Sequence, residues 1–206
     1  MTSAAVMTPE DEPEIGKLGM WVFLASEVLF FGGLFLAYLY GRTHWPQGWM
    51  EASRRTDVVL GTLNTAVLLT SSAVVALAVA CEEHPRQRRW TVRLLALTAA
   101  LGLAFLVIKG VEWHAEWDEH LFPGPSFSLD VPGAQAFFLL YFVMTGLHGM
   151  HMAFGIAALA ILARGRSRER AWAGARQLEV AALYWHFVDI VWIFLYPLLY
   201  LVQRHG

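Results

Sequence analysis

Residues 18–41 read LGMWVFLASEVLFFGGLFLAYLYG, twenty-four positions with one formally charged side chain, Glu27. At about 1.5 Å per residue a helix of this length spans roughly 36 Å, more than the roughly 30 Å hydrocarbon core of a bilayer. Four more runs of the same kind follow, at residues 58–81, 92–111, 134–163 and 178–202. Inside lipid each backbone N–H and C=O has to be satisfied within its own segment, which selects helices for isolated apolar runs. The whole-chain composition agrees: 57% of the 206 residues are apolar and 16% charged, against roughly 45–50% and 25% in soluble domains. The sequence therefore predicts an all-α integral membrane protein, a bundle of five transmembrane helices. The connections are too short for a soluble domain, which leaves residues 1–17 as an N-terminal segment and 18–206 as one membrane domain.

Basic residues set the expected orientation. Lys17, Arg86, Arg88, Arg89, Arg93, Arg164, Arg166, Arg168, Arg170 and Arg176 fall on one side of the alternating spans. Arg42, Arg54, Arg55 and Arg204 fall on the other, and residues 114–133 hold no Lys or Arg. The positive-inside rule then places the N-terminus in the cytoplasm and the C-terminus outside. The acidic start, with Glu10, Asp11, Glu12 and Glu14 before Lys17, lacks the basic region of a secretory signal. A lone Cys81 excludes an internal disulfide and a cysteine-based metal site. Nothing in the charge pattern points to nucleic acid.

Between the spans, Trp45, Pro46, Gly48 and Trp49 read as an aromatic interfacial turn, and residues 82–90 as a short hairpin connection. Residues 114–133, with Pro123, Pro125 and Pro132, read as an ordered external loop, while 165–176 is arginine-rich and suited to anionic head groups. Small residues repeat every four positions at Gly33, Ala37 and Gly41, and at Gly149, Ala153 and Ala157. That spacing predicts close helix packing within the bundle.

Ionisable groups inside a membrane need a partner or a function. Glu27 lies near midplane among Phe23, Phe30 and Phe31, so it either carries a proton or is paired. His148 and His151 are three residues apart on the fourth span; Glu179, His186 and Asp189 share a stripe on the fifth. Lys109 and Glu112 are three apart near the outer boundary, where they can pair locally, and Asn64 sits with Thr62 and Thr65 on the second span. Several readings compete for this set. One is a structural network joining Glu27 to His148 or His151, and Asp189 to His186. A second is a cleft in which these groups meet lipid head groups or water, and a third is a proton or ion path. Bis-histidine haem ligation by His148 or His151 with His186 is disfavoured, because Trp185, Phe187 and Trp192 crowd the same helix. His114, Glu116, Asp118, Glu119 and His120 could hold a divalent ion but read first as a solvated acidic loop. No nucleophile–base pair and no phosphate loop is present, so no catalytic residue is assigned.

The same residues carry a family resemblance. KLGMWVFLASEVLFF at 17–31, LNT at 63–65, GLHGMH at 146–151 and YWHFVDIVWIFL at 184–195 together resemble the haem-copper oxidase subunit III family. The order of the blocks is that of the five-helix forms in bacterial cytochrome c and quinol oxidases; the first two helices of the seven-helix form are missing. Lys109 departs from the uncharged polar residue many relatives carry there, and no role is transferred to it. The resemblance implies a non-redox accessory subunit of a proton-pumping terminal oxidase, an oxidoreductase complex of aerobic respiration in the bacterial inner membrane. It implies that this chain binds no haem or copper, which belong to partner subunits, and no metal of its own. It also implies contact with catalytic subunit I, other oxidase subunits and membrane phospholipid, together with support of proton uptake. It links Glu27 to the supporting role and bound lipid and places His148, His151, His186 and Asp189 on motif positions, in structural or lipid-contact roles; with Asn64, Glu112 and Glu179 from the reading of the spans these make up the expected polar network. An accessory protein of a nitric oxide reductase system shares these motifs. From other classes, a small proton-coupled transporter would use Glu27 and Asp189 as a relay, and a dihaem electron carrier would use the histidines.

Overall fold

A computed structural model describes residues 11–82, 87–170 and 172–201. Among these the chain is helical throughout, in the order α1 Asp11–His44, α2 Pro46–Ser53, α3 Val58–Glu82, α4 Arg88–Asp118, α5 Ala134–Ser167 and α6 Ala175–Tyr196. A π-helical turn, Pro197–Leu201, continues α6. Five of the helices (all but α2) are long and apolar enough to cross a membrane, as the hydropathy pattern requires. The calls on residues 1–10, Arg86 and Arg204 lie outside the described residues.

Two corrections concern the connections. The stretch expected as a turn is a two-turn helix, α2, started by Pro46 in its first turn. Proline suits that position because its missing N–H would have no intrahelical partner. The segment expected as a loop from 114 is helical to Asp118. It ends in a Schellman turn: His120 N–H donates to the Trp117 carbonyl and Leu121 N–H to that of Glu116, each at 3.0 Å. The residue in the left-handed conformation is His120, φ 57°, where glycine is usual. The end of α5 repeats the device with Glu169 at φ 51°, whose N–H reaches the Arg166 carbonyl at 3.0 Å.

α3 and α4 form the most extensive helix pair; α5 and α6 close the bundle against them, and α1 leans on α5 and α6 with its outer face bare. The core is aromatic on small. Trp49, Trp185 and Trp192 are each fully buried. A Cβ on Gly41 would overlap the Trp49 ring, and one on Gly102 would lie 2.5 Å from the ring of Trp185. The indole N–H groups of Trp185 and Trp192 donate to Ser71 and Thr65 of α3 at 3.1 and 3.0 Å. These bonds remove the cost of burying an unpaired donor.

The small-residue stripes behave differently from expectation. Gly41 packs as predicted, but Gly33 has nothing within 4 Å and Ala37, Ala153 and Ala157 are exposed, so most of both stripes faces away from the chain's own helices. Other glycines let elements approach closely, among them Gly102 and Gly155, both against Trp185, and Gly61 against Tyr200. Replacing Gly102 with valine should lower the thermal unfolding midpoint in detergent, because overpacking a filled core costs about 1–3 kcal/mol. Gly110→Ala, where nothing lies within 4 Å, serves as the silent comparison; equal midpoints for the two variants would contradict the packing.

Candidate functional site: three polar clusters in an apolar bundle

The first cluster joins α1, α5 and α6. Glu27 Oε2 lies 3.1 Å from His151 Nε2, and His151 Nδ1 lies 2.8 Å from the Leu147 carbonyl oxygen. A carbonyl only accepts, so Nδ1 carries a hydrogen and the imidazole's orientation is fixed. A hydrogen bond from Nε2 to Oε2 takes one further proton, and a pair that holds it is electrically neutral on whichever atom it rests. Tyr184 Oη donates to the His151 carbonyl at 3.0 Å, and Phe31 meets the imidazole edge-on at 5.6 Å. Of the two partners expected for Glu27, His151 is the one that reaches it.

His151, but not Glu27, lines a groove of about 860 Å³ between α1, α5 and α6. Phe23, Phe154, Ile161 and Tyr184 form its apolar walls, and Trp172, Arg176 and Gln177 stand at the end nearest the α5–α6 connection. That connection is held from below: Arg166 pairs with Glu82 of α3 and donates to the Ala173 carbonyl at 2.7 Å.

The second cluster joins α4, α5 and the π turn. Lys109, 4% exposed, donates to Tyr141 Oη at 2.7 Å and Tyr200 Oη at 2.5 Å, and pairs with Glu112 Oε2 at 3.1 Å. Both phenols donate onward to Glu112 Oε1, at 2.8 and 2.6 Å. The expected local pair of Lys109 and Glu112 is therefore the centre of a closed ring of four side chains. Its members each have a partner, which a buried ion pair requires.

The third cluster is the stripe on α6, which faces α3. Here the expected Asp189–His186 bond is not formed. His186 Nδ1 lies 2.7 Å from Ser72 Oγ of α3, and the buried Asp189 carboxylate sits beside the same serine without a hydrogen bond of its own. Glu179 lies at the arginine end, in a recess with Glu82. Asn64 is fully buried and neither amide atom is paired among the described residues.

His148 does not share the surroundings of His151. Its ring is enclosed by Phe105 and Trp192, at centroid distances of 5.4 and 5.1 Å, and neither nitrogen is bonded. The three histidines weighed and disfavoured as haem ligands thus have three different surroundings. Among the described residues no three His, Cys, Asp or Glu side chains converge on one point. The external set of 114–120 also separates: His114 pairs with Asp118 at 3.0 Å on the exposed face, whereas Glu116 is buried on the other. Reading the chain missed Ser72, Tyr141 and Tyr200, and it placed Glu116 in a solvated loop although its side chain is buried. Their helical spacing alone carries no sign of the partners that other helices bring.

Comparison with known proteins follows the same outline. The chain matches the family model described as cytochrome c oxidase subunit III over residues 13–203. It is 34% identical to cytochrome c oxidase subunit 3 of Thermostichus vulcanus, across 98% of this chain and 95% of that one. It is 31% identical to cytochrome c oxidase subunit 3 of Bacillus sp. (strain PS3), across 92% and 86%. A haem-copper oxidase subunit I+III of Aeropyrum pernix is 33% identical across 90% of this chain and 22% of the longer protein. With the match spanning all five long helices and every polar cluster, the chain belongs to the cytochrome c oxidase subunit III family and is a multi-pass accessory subunit of a haem-copper oxidase.

Proposed function

We propose that this chain performs no redox step itself and that it packs against catalytic subunit I in a bacterial cytoplasmic membrane, where it stabilises that subunit and supports proton uptake. The haem and copper belong to partner subunits. The fused subunit I+III relative supports the pairing with subunit I, because one chain there carries both names. The observation that carries the supporting role is the Glu27–His151 pair, whose imidazole lines the groove. It places a proton-holding group in apolar surroundings. The groove is suited to a phospholipid, its acyl chain along Phe23, Phe154 and Ile161 and its head group near Trp172, Arg176 and Gln177. The arginine end then faces the cytoplasm and the α2 end the outer side, in keeping with the positive-inside rule. Of the remaining polar residues, Glu112 and His186 bond from one helix to another and His148 packs its ring between Phe105 and Trp192, while Asn64, Glu179 and Asp189 are assigned to the helix packing around them. None lies in an arrangement suited to acid–base or nucleophilic chemistry. The oxidase reading is preferred to the nitric oxide reductase one because the relatives described above are oxidase subunits.

Glu27→Ala should leave membrane insertion intact, since removing a buried carboxyl favours it, while shortening the number of turnovers before inactivation or weakening assembly of the oxidase. Unchanged assembly, pumping and inactivation rate would remove Glu27 from the mechanism. A reduced-minus-oxidised spectrum of the tagged chain captured in mild detergent should show haem that disappears once partner subunits are stripped away. Haem retained by the stripped chain would overturn the non-redox assignment. For orientation, on a Cys81→Ala background, an impermeant maleimide should label Ser126→Cys in spheroplasts and Ser167→Cys only after lysis. The reverse pattern would invert the topology.

A further inference from the structure

His186 of α6 and Ser72 of α3 meet at mid-depth on the outside of the bundle. Counted from the arginine end at about 1.5 Å per residue, His186 lies roughly 16 Å along α6 and Ser72 roughly 15 Å along α3. In a hydrocarbon core of roughly 30 Å that is the middle. Both side chains are half-buried. Nδ1 of the imidazole is taken by Ser72 Oγ at 2.7 Å. Nε2 has no partner among the described residues and is not closed off from the surface. Whichever ring nitrogen carries the hydrogen, Nε2 is left with one bond to make, as donor or as acceptor.

Exposed hydroxyls elsewhere on the spans close their own bonds. Ser26 donates to the Phe23 carbonyl at 2.7 Å and Thr70 to that of Ala66 at 2.8 Å, each within its own helix. Thr62, farther out along the α3–α6 seam, donates to the Val58 carbonyl and lies 2.7 Å from Tyr196 Oη. Acyl chains offer no hydrogen bond, and a polar group left unsatisfied in lipid is costly. A lipid covering would leave His186 short, whereas a protein group opposite Nε2 would not. The surface around it also admits a helix. Leu69 and Ala76 stand about one turn either side of Ser72 on α3, and Ile190 one turn beyond His186 on α6, all three exposed. A side chain as small as Ala76 lets a neighbouring helix come near enough for a side-chain bond.

We propose that the α3–α6 seam is the face that docks against subunit I, and that a transmembrane helix of subunit I meets His186 Nε2 with a hydroxyl or carboxamide side chain. Such groups both donate and accept, so they satisfy either tautomer of the imidazole. This rests on the pairing with subunit I proposed above and adds the face that makes it. The bond to Ser72 fixes the ring, so that Nε2 is presented to the partner in one direction.

The experiment uses the whole oxidase in native membranes. A photoreactive benzophenone amino acid replaces Ile190, Ala76 or, for comparison, Met150, which is exposed near the middle of α5. Irradiation should join the chain to subunit I from Ile190 and Ala76 and not from Met150. In a second arm, His186→Leu should lower the subunit I retained by the tagged chain in mild detergent by about threefold or more, the scale of one interhelical hydrogen bond in a membrane. Ser72→Ala breaks the same internal bond but keeps the imidazole, and should retain subunit I as the unaltered chain does. Unchanged retention by His186→Leu, or equal losses in the two variants, would overturn the role given to His186. The cross-linking arm alters neither residue and stands if those variants do not fold. Capture of subunit I from neither seam position, capture of a second copy or another protein there instead, or equal capture from Met150 would place the interface elsewhere and leave the pairing with subunit I intact. Failure of subunit I to co-purify with the unaltered chain would overturn the pairing itself.

Discussion

An ammonium group enclosed in an apolar bundle has to be surrounded by acceptors, and in this chain that requirement fixes how the α2 end is built. Lys109 draws Tyr141 from α5 and Tyr200 from the π turn into one ring with Glu112. Tyr200 can reach it because the chain after Pro197 winds as a π turn rather than continuing α6. That wider turn releases carbonyls, which other elements then satisfy. Tyr38 of α1 donates to the Leu198 carbonyl at 2.5 Å, and Thr56 lies 3.4 Å from that of Leu199. One buried charge thus ties together α1, α4, α5, the end of α6 and the connection after α2. In a bilayer no water is available to complete such bonds, so each has to come from the protein.

The bundle divides its polar groups by depth and by partner. At the arginine end, Arg166 and Glu82 anchor the α5–α6 connection to α3. Toward the middle, Glu27 and His151 form a pair whose imidazole lines the groove. At the α2 end sits the Lys109 ring, with the unmatched Glu116 just beyond it. Between these levels the packing is tryptophan against glycine and hydroxyl, as at Trp185 with Gly102, Gly155 and Ser71. Membrane helices have no hydrophobic drive toward one another, and close approach combined with hydrogen bonds to small side chains supplies the attraction instead.

The five spans were legible because length and hydropathy report directly on the bilayer. Pairing was legible only where both partners lay on one helix, as with Lys109 and Glu112, or where the choice of partner was narrow, as with Glu27. Asp189 and His186 illustrate the failure. Three residues apart on α6, they could have bonded each other, but Ser72 arrives from α3 at the imidazole, and nothing in the spacing along α6 announces it. The helix ends were misread for a local reason. His120 and Glu169 occupy left-handed positions normally marked by glycine, so the stop signals were absent and the polar residues of 114–118 resembled a loop. The small-residue stripes misled because the spacing that packs helices inside a chain is the same when the stripe faces outward.

The fixed imidazole of His151 has an electrical consequence. With Nδ1 tied to the Leu147 carbonyl, a proton exchanged within the pair would move along the 3.1 Å line to Glu27, a displacement of about 1 Å. Moving one charge through a whole membrane at 100 mV is worth about 2.3 kcal/mol. A 1 Å step in a roughly 30 Å layer therefore changes the energy by less than about 0.1 kcal/mol. The respiratory voltage has almost no grip on this pair, so its proton answers to local contacts, such as what fills the adjoining groove, and not to how strongly the membrane is energised.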